Sequence, residues 1–469
     1  MRETSEKATK IWILALTSAA SFMVALDALV VTTALSTIRL DLGVSIEALE
    51  WTVNAYNLSF AVLLLTGAAL GDRFGRRRMF AAGLGLFVVA SAACALAGSA
   101  SWLIAARAVQ GAGAALVMPL AMALLSVAFP REERAKALRI FSGVTGLALI
   151  AGPIVGGAIT EGLAWRWIFW INIPIGLLVI PFVLTRIRES FGPGVTLDVP
   201  GLGFVTGAAL GVVWGLMRGN SAGWASFEVV AALAGGVVLA VTFVAWELRA
   251  REPMLPMLFF RSRAFSSGIA ASFLLYGSMY GVLFFLPQFL QVAQGNGSLG
   301  AGLRLLPWTA TLLVFAPIAG GLVNRIGERP LVVGGLLMQA VGMAWIGLIA
   351  EPDLAYAHLI VPPLILAGTG ASVAMPAAQN AVVSAVMATE VGKASGAFNM
   401  SRFLGGVFGI AILVAVFSGT GGFGSPEAFS AGFTPAIGVS AGLSLAAAVV
   451  GMGLPARHKA TPAQAKASP

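Results

Sequence analysis

Asp27 and Arg107 are ionisable residues inside long apolar stretches of the sequence. Asp27 lies near the middle of the run 11–38, in the segment LDALVV. An ionised side chain that faces lipid is costly, so charged residues at membrane depth usually face a cavity or a partner and are usually functional. A carboxylate in that position can take up and release a proton. We therefore predict that Asp27 is a proton-exchange site, against the alternative of a structural hydrogen-bonding residue.

Arg107, in the apolar run 101–128, is the complementary candidate because its guanidinium stays charged inside proteins. Helical spacing places Arg107, Gln110 and Ala114 on one face, which makes a narrow polar stripe that points into a helix bundle. Two roles are open for Arg107 on these grounds. It takes part in the proton chemistry, or it anchors helix packing as many paired charges in membranes do.

The elements that must position these residues are membrane-spanning helices. Hydrophobic residues make up 58% of the 469-residue chain and charged residues 10%, with a mean hydropathy of +0.91. A soluble domain carries about 25% charged residues, so no water-soluble surface can be built from this composition. Runs of about 20 apolar residues have the length of a transmembrane helix. Fourteen such runs are found, near 11–38, 50–70, 79–99, 101–128, 138–160, 167–185, 199–217, 227–247, 265–291, 300–323, 330–350, 357–387, 394–418 and 429–454. The first run is too long for a signal peptide and contains Asp27, so we predict that it is retained as a span.

The positive charges follow the connections between these runs. Basic residues cluster in alternate connections, first at 73–78, then at 131–139, 186–188, 249–263 and 325–329, whereas the intervening connections are acidic or neutral. The positive-inside rule then places both termini in the cytoplasm, as an even number of spans requires. The net charge of +9 is therefore a topology signal in a multi-pass plasma-membrane protein, and we predict no nucleic-acid partner.

Cofactor and metal chemistry are not indicated. Cys94 is the only cysteine and His358 and His458 are the only histidines, so we predict no disulfide and no metal site. The sequence has no GxxxxGK[ST] phosphate loop. The GxGxxxG spacing of Gly201, Gly203 and Gly207 opens an apolar run and follows no strand, which favours helix packing over nucleotide binding. We predict no cofactor.

A charged connection carries the first family resemblance. The segment GAALGDRFGRRRMF, residues 67–80, resembles the loop signature of the major facilitator superfamily, with Ala68 where the family has its leading glycine. The matching positions are Asp72, Arg73, Gly75, Arg76 and Arg77. The resemblance implies a conformational latch at these five residues; for the arginines the alternative is topogenic charge alone. A weaker echo, GGLVNRIGERP at 320–330 with Asn324 in place of the aspartate, implies two parallel repeats.

Two further motifs resemble the same superfamily. In LIAARAVQGAGAALVMP, residues 103–119, the pattern Arg-x-x-Gln-Gly-x-Gly is present, and the resemblance favours a coupling role for Arg107. The segment GPIVGG, with Gly152, Pro153, Gly156 and Gly157, is similar to the motif of antiporters rather than of uptake symporters. The residues themselves indicate close helix approach and a weakened backbone ladder, and leave packing and hinging equally open.

The whole chain resembles the fourteen-span drug:proton antiporter branch, through WRWIFWINIPIG at 165–176, the two runs at 199–247 and REPMLPMLFF after them. This resemblance implies an all-α integral membrane protein of major facilitator fold, in which two extra transmembrane helices link two six-helix bundles. We accordingly predict an N-terminal bundle at 1–190, a linker pair at 191–262, a C-terminal bundle at 263–456 and a cytoplasmic tail at 457–469.

Polar and aromatic residues inside other runs are candidates for a substrate cavity. They are Asn54, Asn57, Gln110, Tyr276, Tyr280, Gln288, Trp308, Asn380 and Asn399, with Arg402 farther along. Aromatic residues at helical spacing are also typical of plain packing. A cavity of this kind suits apolar or cationic amphiphiles, and a cation would be held by ring faces and Asp27. We expect Asp27 to be the only clearly buried acid, because the other acids lie near run ends: Glu50, Asp198, Glu228, Glu247 and Glu390.

The function predicted from these features is secondary active transport. We expect a monomeric proton-coupled antiporter that exports small hydrophobic or cationic compounds, antibiotics among them, by alternating access across the lipid bilayer. The alternative within transport is a dedicated exporter or flippase for one natural product or lipid. A membrane enzyme is disfavoured, since no nucleophile or metal constellation is present and the connections are short. A transport-inactive sensor is disfavoured by the presence of Asp27, Arg107 and Asp72.

Overall fold

The computed structural model describes residues 2–192, 197–352, 354–387 and 390–456, and within them the chain is helical with no β-strand. Fourteen described helices are long and apolar enough to cross a membrane, which confirms the predicted number of spans. In chain order they are α1 Thr9–Leu42, α2 Ile46–Phe74, α3 Arg76–Ala95, α4 Ala100–Ala128, α5 Glu132–Gly162, α6 Trp167–Arg186, α7 Val199–Ala222, α8 Phe227–Glu247, α9 Arg263–Ala293, α10 Ser298–Val323, α11 Glu328–Ile349, α12 Val361–Val383, α13 Val391–Thr420 and α14 Pro426–Gly451. The predicted tail 457–469 and the side chain of Asn324 lie outside the described part of the chain.

Three of the spans are interrupted. Span α6 consists of Trp167–Trp170 and Asn172–Arg186, which are separated at Ile171. Span α9 ends in a π-turn, Phe289–Ala293, which begins two residues after Pro287. Span α10 comprises Ser298–Arg304, Leu306–Thr309 and most of the helix Thr311–Ile326, which continues three residues past the end of the span. Outside the spans, Met257–Arg261 is a 3₁₀-helix and Tyr356–Ile360 is a π-helix before α12. Such breaks free backbone groups, and membrane proteins tolerate them where protein neighbours satisfy those groups.

Serine residues begin several of the spans. The hydroxyl of Ser45 accepts a hydrogen bond from the Ala48 N–H at the start of α2, and that of Ser99 does the same for the Trp102 N–H at the start of α4. Ser425 caps α14 through the Ala428 N–H at 3.1 Å. These caps satisfy amide groups that have no partner inside the helix, and so they fix where each span begins.

Two glycines shape equivalent turns in the two halves of the chain. Gly75, between α2 and α3, has φ of +104°, and Gly327, between α10 and α11, has φ of +85°. Residues with a Cβ rarely adopt such positive φ values, so each turn requires glycine. We call the side of the molecule that carries these two turns the basic face, since the arginines 73–78 lie there, and the other side the opposite face.

The helices pack into two groups with a pair between them. Spans α1 to α6 pack mainly on one another (the N bundle), and α9 to α14 do the same (the C bundle). Spans α7 and α8 pack on each other, and α7 also contacts α2 and α13. Asn220 on α7 donates a hydrogen bond to the Ala415 carbonyl on α13, and the rings of Trp214 and Trp51 lie 6.2 Å apart. The pair therefore lies along the seam where the two bundles meet.

The seam between the bundles is closed at the opposite face. Gln291 of α9 donates a hydrogen bond to the Thr33 carbonyl of α1 at 2.9 Å. The backbone N–H of Leu299 on α10 donates to the Glu161 carboxylate of α5, also at 2.9 Å. The guanidinium of Arg39 lies 4.2 Å from the centre of the Phe423 ring. These contacts hold the ends of α1 and α5 against the C bundle.

Candidate transport site

A buried ion pair lies at the centre of the N bundle. Arg107 Nη1 on α4 lies 2.5 Å from Asp27 Oδ2 on α1, and the two side chains are each 1% exposed. The other carboxylate oxygen, Oδ1, accepts from Gln110 Nε2 at 2.9 Å and from Asn172 Nδ2 at 2.8 Å. An ionised carboxylate accepts all three of these bonds without supplying a donor of its own. The surroundings therefore suit the charged pair.

Four spans position this pair. Arg107 and Gln110 lie one turn apart on α4, and Arg107 Nη1 also donates to Gln110 Oε1 at 2.7 Å. Arg107 Nε donates to the carbonyl of Thr52 on α2 at 3.1 Å, and its guanidinium lies 4.3 Å from the centre of the Tyr56 ring. Asn172 is brought in by α6, whose second segment begins at that residue. A proton added to Asp27 would break a network that joins α1, α2, α4 and α6.

Asn172 is a site residue that sequence reasoning missed. It lies within the quoted segment WRWIFWINIPIG, but an asparagine next to a break in a span carries no signal of its partner. The structure shows that its amide bridges Asp27 and the hydroxyl of Ser91, the latter at 3.0 Å. Metal-holding groups of acidic, histidine and cysteine side chains do not occur among the described residues.

The expectation that Asp27 is the only clearly buried acid is wrong. Glu50 is 0% exposed, Glu247 is 3% exposed and Glu328 is 6% exposed. Glu50 Oε1 accepts from the amide of Asn54 at 2.9 Å, whereas its Oε2 has no hydrogen-bond partner. Nearness to a helix end did not expose these acids, because neighbouring helices and the connections cover the ends. Glu247, for example, accepts from the backbone N–H of Leu255 at 3.0 Å.

The residues of the predicted latch form a bonded turn at the basic face. Asp72 Oδ1 accepts from Arg76 Nη2 at 2.7 Å, and Glu189 accepts from the backbone N–H groups of Arg77 and Arg78 at 2.8 and 3.2 Å. Glu189 was not among the predicted residues. It follows α6, far from the loop in sequence, so only the fold brings it to the turn. Arg73 is exposed.

The glycines of the segment 152–157 lie at two helix interfaces. A Cβ on Gly156 would lie 2.4 Å from the Val30 carbonyl of α1, within the N bundle. A Cβ on Gly157 would lie 2.4 Å from the Ser298 carbonyl of α10, across the seam. Pro153 contributes to the same seam, because its carbonyl is the nearest atom to a Cβ built on Gly302. Close approach of α5 to both α1 and the C bundle therefore explains why these positions lack side chains.

The predicted cavity residues do not form one group. Asn380 donates to Glu328 at 2.8 Å, and Asn399 donates within its own helix to the Ser395 carbonyl. Gln110 belongs to the Asp27 network, and Gln288 is wholly buried. Asn57 is buried as well, and its Oδ1 has no hydrogen-bond partner.

Trp308 does face a space between the bundles. A small apolar cavity is lined by Trp308, Met279, Leu283 and Met375 of the C bundle and by Leu149 of α5. Because both bundles contribute to its wall, the cavity would change shape if the bundles moved relative to each other.

Tyr276 and Tyr280 belong to an aromatic group that crosses the seam. The rings of Phe60 of α2 and Phe403 of α13 have centres 4.2 Å apart and planes inclined by 40°, and Tyr280 lies edge-on to Phe403 at 6.3 Å. The guanidinium of Arg402 lies 4.8 Å from the centre of the Tyr276 ring. We call Phe60, Tyr276, Tyr280, Arg402 and Phe403 the aromatic group. It is joined to the Asp27 network through Tyr56, whose ring lies edge-on to Phe60 at 6.1 Å and 4.3 Å from the Arg107 guanidinium.

Comparison with known proteins agrees with this fold. The model of the Major Facilitator Superfamily matches residues 17–410 and, in an overlapping match, residues 269–468. The chain belongs to the Major Facilitator Superfamily. It is therefore a multi-pass membrane transporter of small molecules and not a catalytic enzyme.

Its relatives are named for export and resistance. The chain is 36% identical to the cephamycin export protein CmcT of Amycolatopsis lactamdurans over 98% of this chain and 95% of that protein. It is 35% identical to the tetracenomycin C resistance and export protein of Streptomyces glaucescens, over 94% of this chain and 83% of the relative. The multidrug resistance protein Stp of Mycobacterium tuberculosis is 34% identical over 87% of this chain and 76% of its own length.

Solved structures share the fold at low sequence identity. The structure of the POT family transporter PepTSo has a TM-score of 0.71 at 15% identity, and the match covers 95% of this chain and 97% of that chain. An inward-facing bacterial homologue of the lysosomal transporter Spinster has a TM-score of 0.69 at 16% identity, over 95% and 96% of the two chains. At these identities the likeness concerns the arrangement of helices alone.

Proposed function

We propose that this protein is a proton-coupled antiporter that exports small, largely apolar compounds, antibiotics among them, from the cytoplasm. The observation that carries the proposal is the ion pair of Asp27 and Arg107, buried in the middle of the N bundle and bonded to α2 and α6. The export and resistance names of the relatives support the direction of transport.

Coupling follows from the contacts of Asp27. In the structure its two oxygens accept three hydrogen bonds from Arg107, Gln110 and Asn172. Protonation of Asp27 removes the ion pair and places an O–H donor against the donors of Arg107, Gln110 and Asn172. It therefore favours an arrangement in which these helices have moved apart. A proton thus binds the two conformations with different affinity, which is the condition for driving a conformational change. Antiport results if substrate binding favours the other conformation.

The closed seam supports alternating access between two orientations of the bundles. Contacts at Thr33, Glu161 and Arg39 join the bundles at the opposite face. With the basic face in the cytoplasm, as the positive-inside rule requires, both termini lie on the cytoplasmic side of the plasma membrane and these contacts close the seam on the outer side. Each chain contains its own ion pair and both bundles, so we propose that the monomer is the transporting unit.

The test is energised transport in inverted membrane vesicles. Uptake of a panel of neutral, cationic and anionic fluorescent compounds is measured with a proton gradient and again after nigericin collapses it. Wild-type vesicles are expected to concentrate at least one compound only while energised. The proposal would be refuted if accumulation did not depend on the gradient. It would also be refuted if no compound accumulated in a panel that includes the compounds to which the gene gives resistance.

Asp27→Asn tests the coupling site in the same vesicles, with Glu228→Gln as the matched control. Glu228 is exposed and pairs with Arg218 on the linker helices at 3.0 Å. We expect Asp27→Asn to abolish energised uptake and Glu228→Gln to leave it unchanged. Because loss of the carboxylate leaves Arg107 buried without a counter-charge, the double variant Asp27→Asn, Arg107→Gln is measured beside it to separate lost coupling from lost folding. If Asp27→Asn still concentrates substrate against a gradient, coupling lies elsewhere, and Glu50 is the next residue to change.

A further inference from the structure

A second arginine lies at membrane depth, in the C bundle. Arg402 is on α13, which runs from Val391 to Thr420, and the rise of about 1.5 Å per residue places it about 17 Å along the helix from Val391. That is near the middle of a hydrocarbon core of about 30 Å. Its guanidinium lies against the rings of Tyr276 and Phe403, at 4.8 and 5.3 Å from their centres.

Arg402 has no carboxylate partner among the described residues. The ion pairs in that part of the chain involve other basic residues, and Arg402 Nε is buried without a hydrogen-bond acceptor. Glu50 points elsewhere. Its oxygen is held by Asn54, which in turn bonds the Val407 carbonyl, farther along α13 toward the opposite face.

An unpaired cation at this depth requires an explanation. A guanidinium does not lose its charge in proteins, so its burial without a counter-ion costs free energy. The ring contacts with Tyr276 and Phe403 and a hydrogen bond with Tyr280 offset only part of that cost. Charged residues at membrane depth face a cavity when they lack a partner. The Arg402 side chain is partly accessible, whereas Arg107 is sealed. Arg402 Nε has no acceptor within the described part of the chain, and an acceptor group on a bound ligand would supply one.

The charges of the two bundles also decide which ligand fits. Asp27 offers no free oxygen to a cationic substrate here, because Arg107, Gln110 and Asn172 occupy both of its oxygens. The expectation that Asp27 holds a cation is therefore not supported by this conformation. Around Arg402 the rings of Tyr276, Tyr280 and Phe403 supply flat apolar surface. The charge beside that surface is the positive charge of Arg402, which has no carboxylate partner among the described residues.

We propose that Arg402 is an anion-binding subsite of the transport cavity, and that the exported compounds include molecules with a carboxylate attached to a flat apolar ring system. The planar guanidinium would bind the carboxylate through two parallel hydrogen bonds, while the aromatic group packs against the ring body. This inference rests on the proposed function, since it assigns a substrate class to the same exporter.

The test is binding by purified protein in lipid nanodiscs of three matched probes: 2-naphthoic acid, 2-naphthamide and 2-naphthylmethylamine. They share one ring system and differ in charge. A charge-assisted hydrogen bond is worth about 1.5 to 3 kcal/mol, so we expect wild-type protein to bind the acid about tenfold or more tightly than the amide. Arg402→Gln is expected to remove that preference while amide binding stays within about threefold, and Arg402→Lys to keep part of it. Arg218→Gln, at an exposed paired arginine, is the control and should keep the full preference.

Equal affinity for the three probes in wild-type protein, or an undiminished preference in Arg402→Gln, would overturn the anion subsite. So would a finding that Glu50→Gln restores transport lost in Arg402→Gln, because the partner of Arg402 would then be a carboxylate of the chain itself in another conformation. Vesicle uptake separates this inference from the proposed function. Preferential binding of the acid without gradient-driven uptake supports the subsite and refutes the antiporter. Gradient-driven uptake of the amide without preferential binding of the acid supports the antiporter and refutes the subsite.

Discussion

Each bundle places an arginine against a tyrosine ring, but the two arginines have opposite surroundings. Arg107 lies over Tyr56 with Asp27 at 2.5 Å, and every donor and acceptor of that pair comes from the N bundle. Arg402 lies over Tyr276 with no acid beside it and with part of its side chain accessible. A sealed ion pair is suited to bind a proton and to respond with its whole helix network. An arginine without an acid partner is suited to bind an anionic ligand.

The largest effect expected from this difference is on stability. Breaking a buried ion pair by removing one partner costs about 3 to 5 kcal/mol, because the other charge stays buried. Arg107→Met should therefore lower the thermal unfolding temperature strongly. Arg402→Met should change it far less, since the substitution removes a charge that has ring contacts but no carboxylate partner. Thermal unfolding of both variants in nanodiscs measures the difference.

The double variant Asp27→Asn, Arg107→Met controls this experiment, since it removes both charges and should recover part of the lost stability. If Arg402→Met is as destabilising as Arg107→Met, Arg402 has a structural partner and the comparison between the bundles fails.

A second prediction concerns the seam that joins the two bundles. Gly157→Ala places a Cβ against the Ser298 backbone of the other bundle, and should weaken the closed opposite face. Gly146→Ala on the same helix is the matched control, because a Cβ there meets no atom within 4 Å. We expect Gly157→Ala to increase labelling of a cysteine introduced at Thr33 by a membrane-impermeant reagent added from the opposite face.

Gly156→Ala sharpens the same experiment, because its Cβ would meet Val30 within the N bundle. It should lower the unfolding temperature without opening the seam. Equal labelling of the Gly157→Ala and Gly146→Ala proteins would show that α5 does not hold the bundles together.

The smallest effect is expected at the turns of the basic face. Asp72 pairs with Arg76 at 2.7 Å, and both side chains are partly exposed, so the pair contributes about 1 kcal/mol or less to stability. Asp72→Asn should leave expression nearly intact and slow transport, by changing the balance of the two orientations. The corresponding turn in the C bundle has Glu328 bonded to Asn380 instead of an ion pair.

Transport rates of Asp72→Asn and Glu328→Gln, at matched protein levels, compare the two turns. We expect the first variant to be slower than the second. Wild-type flux in Asp72→Asn would mean that the charges at this turn serve topology alone.

Asp27 and Arg107 could be predicted from the sequence, because the depth of a residue in the membrane follows from its position within an apolar run. Asp27 and Arg107 each interrupt an apolar run, and a charge at that depth needs a partner. The glycine turns at Gly75 and Gly327 were visible as a motif and its echo. Glu189 and Asn172 were not readable in this way, because their importance comes from helices that meet them in space.

The sequence by itself determined the fourteen spans and the superfamily, since about 20 apolar residues per span and the motif at 67–80 are local properties of the chain. The tertiary structure alone decided which charges are paired. Helical periodicity gives the side of a helix on which Asp27, Glu50 or Arg402 lies, but not which neighbouring helix faces it. The packing of α1, α4 and α6 gives Asp27 an arginine and two amides, whereas the packing of α9 and α13 surrounds Arg402 with rings. Charged residues in apolar runs thus acquire different roles, because the partners that compensate a charge come from distant parts of the chain.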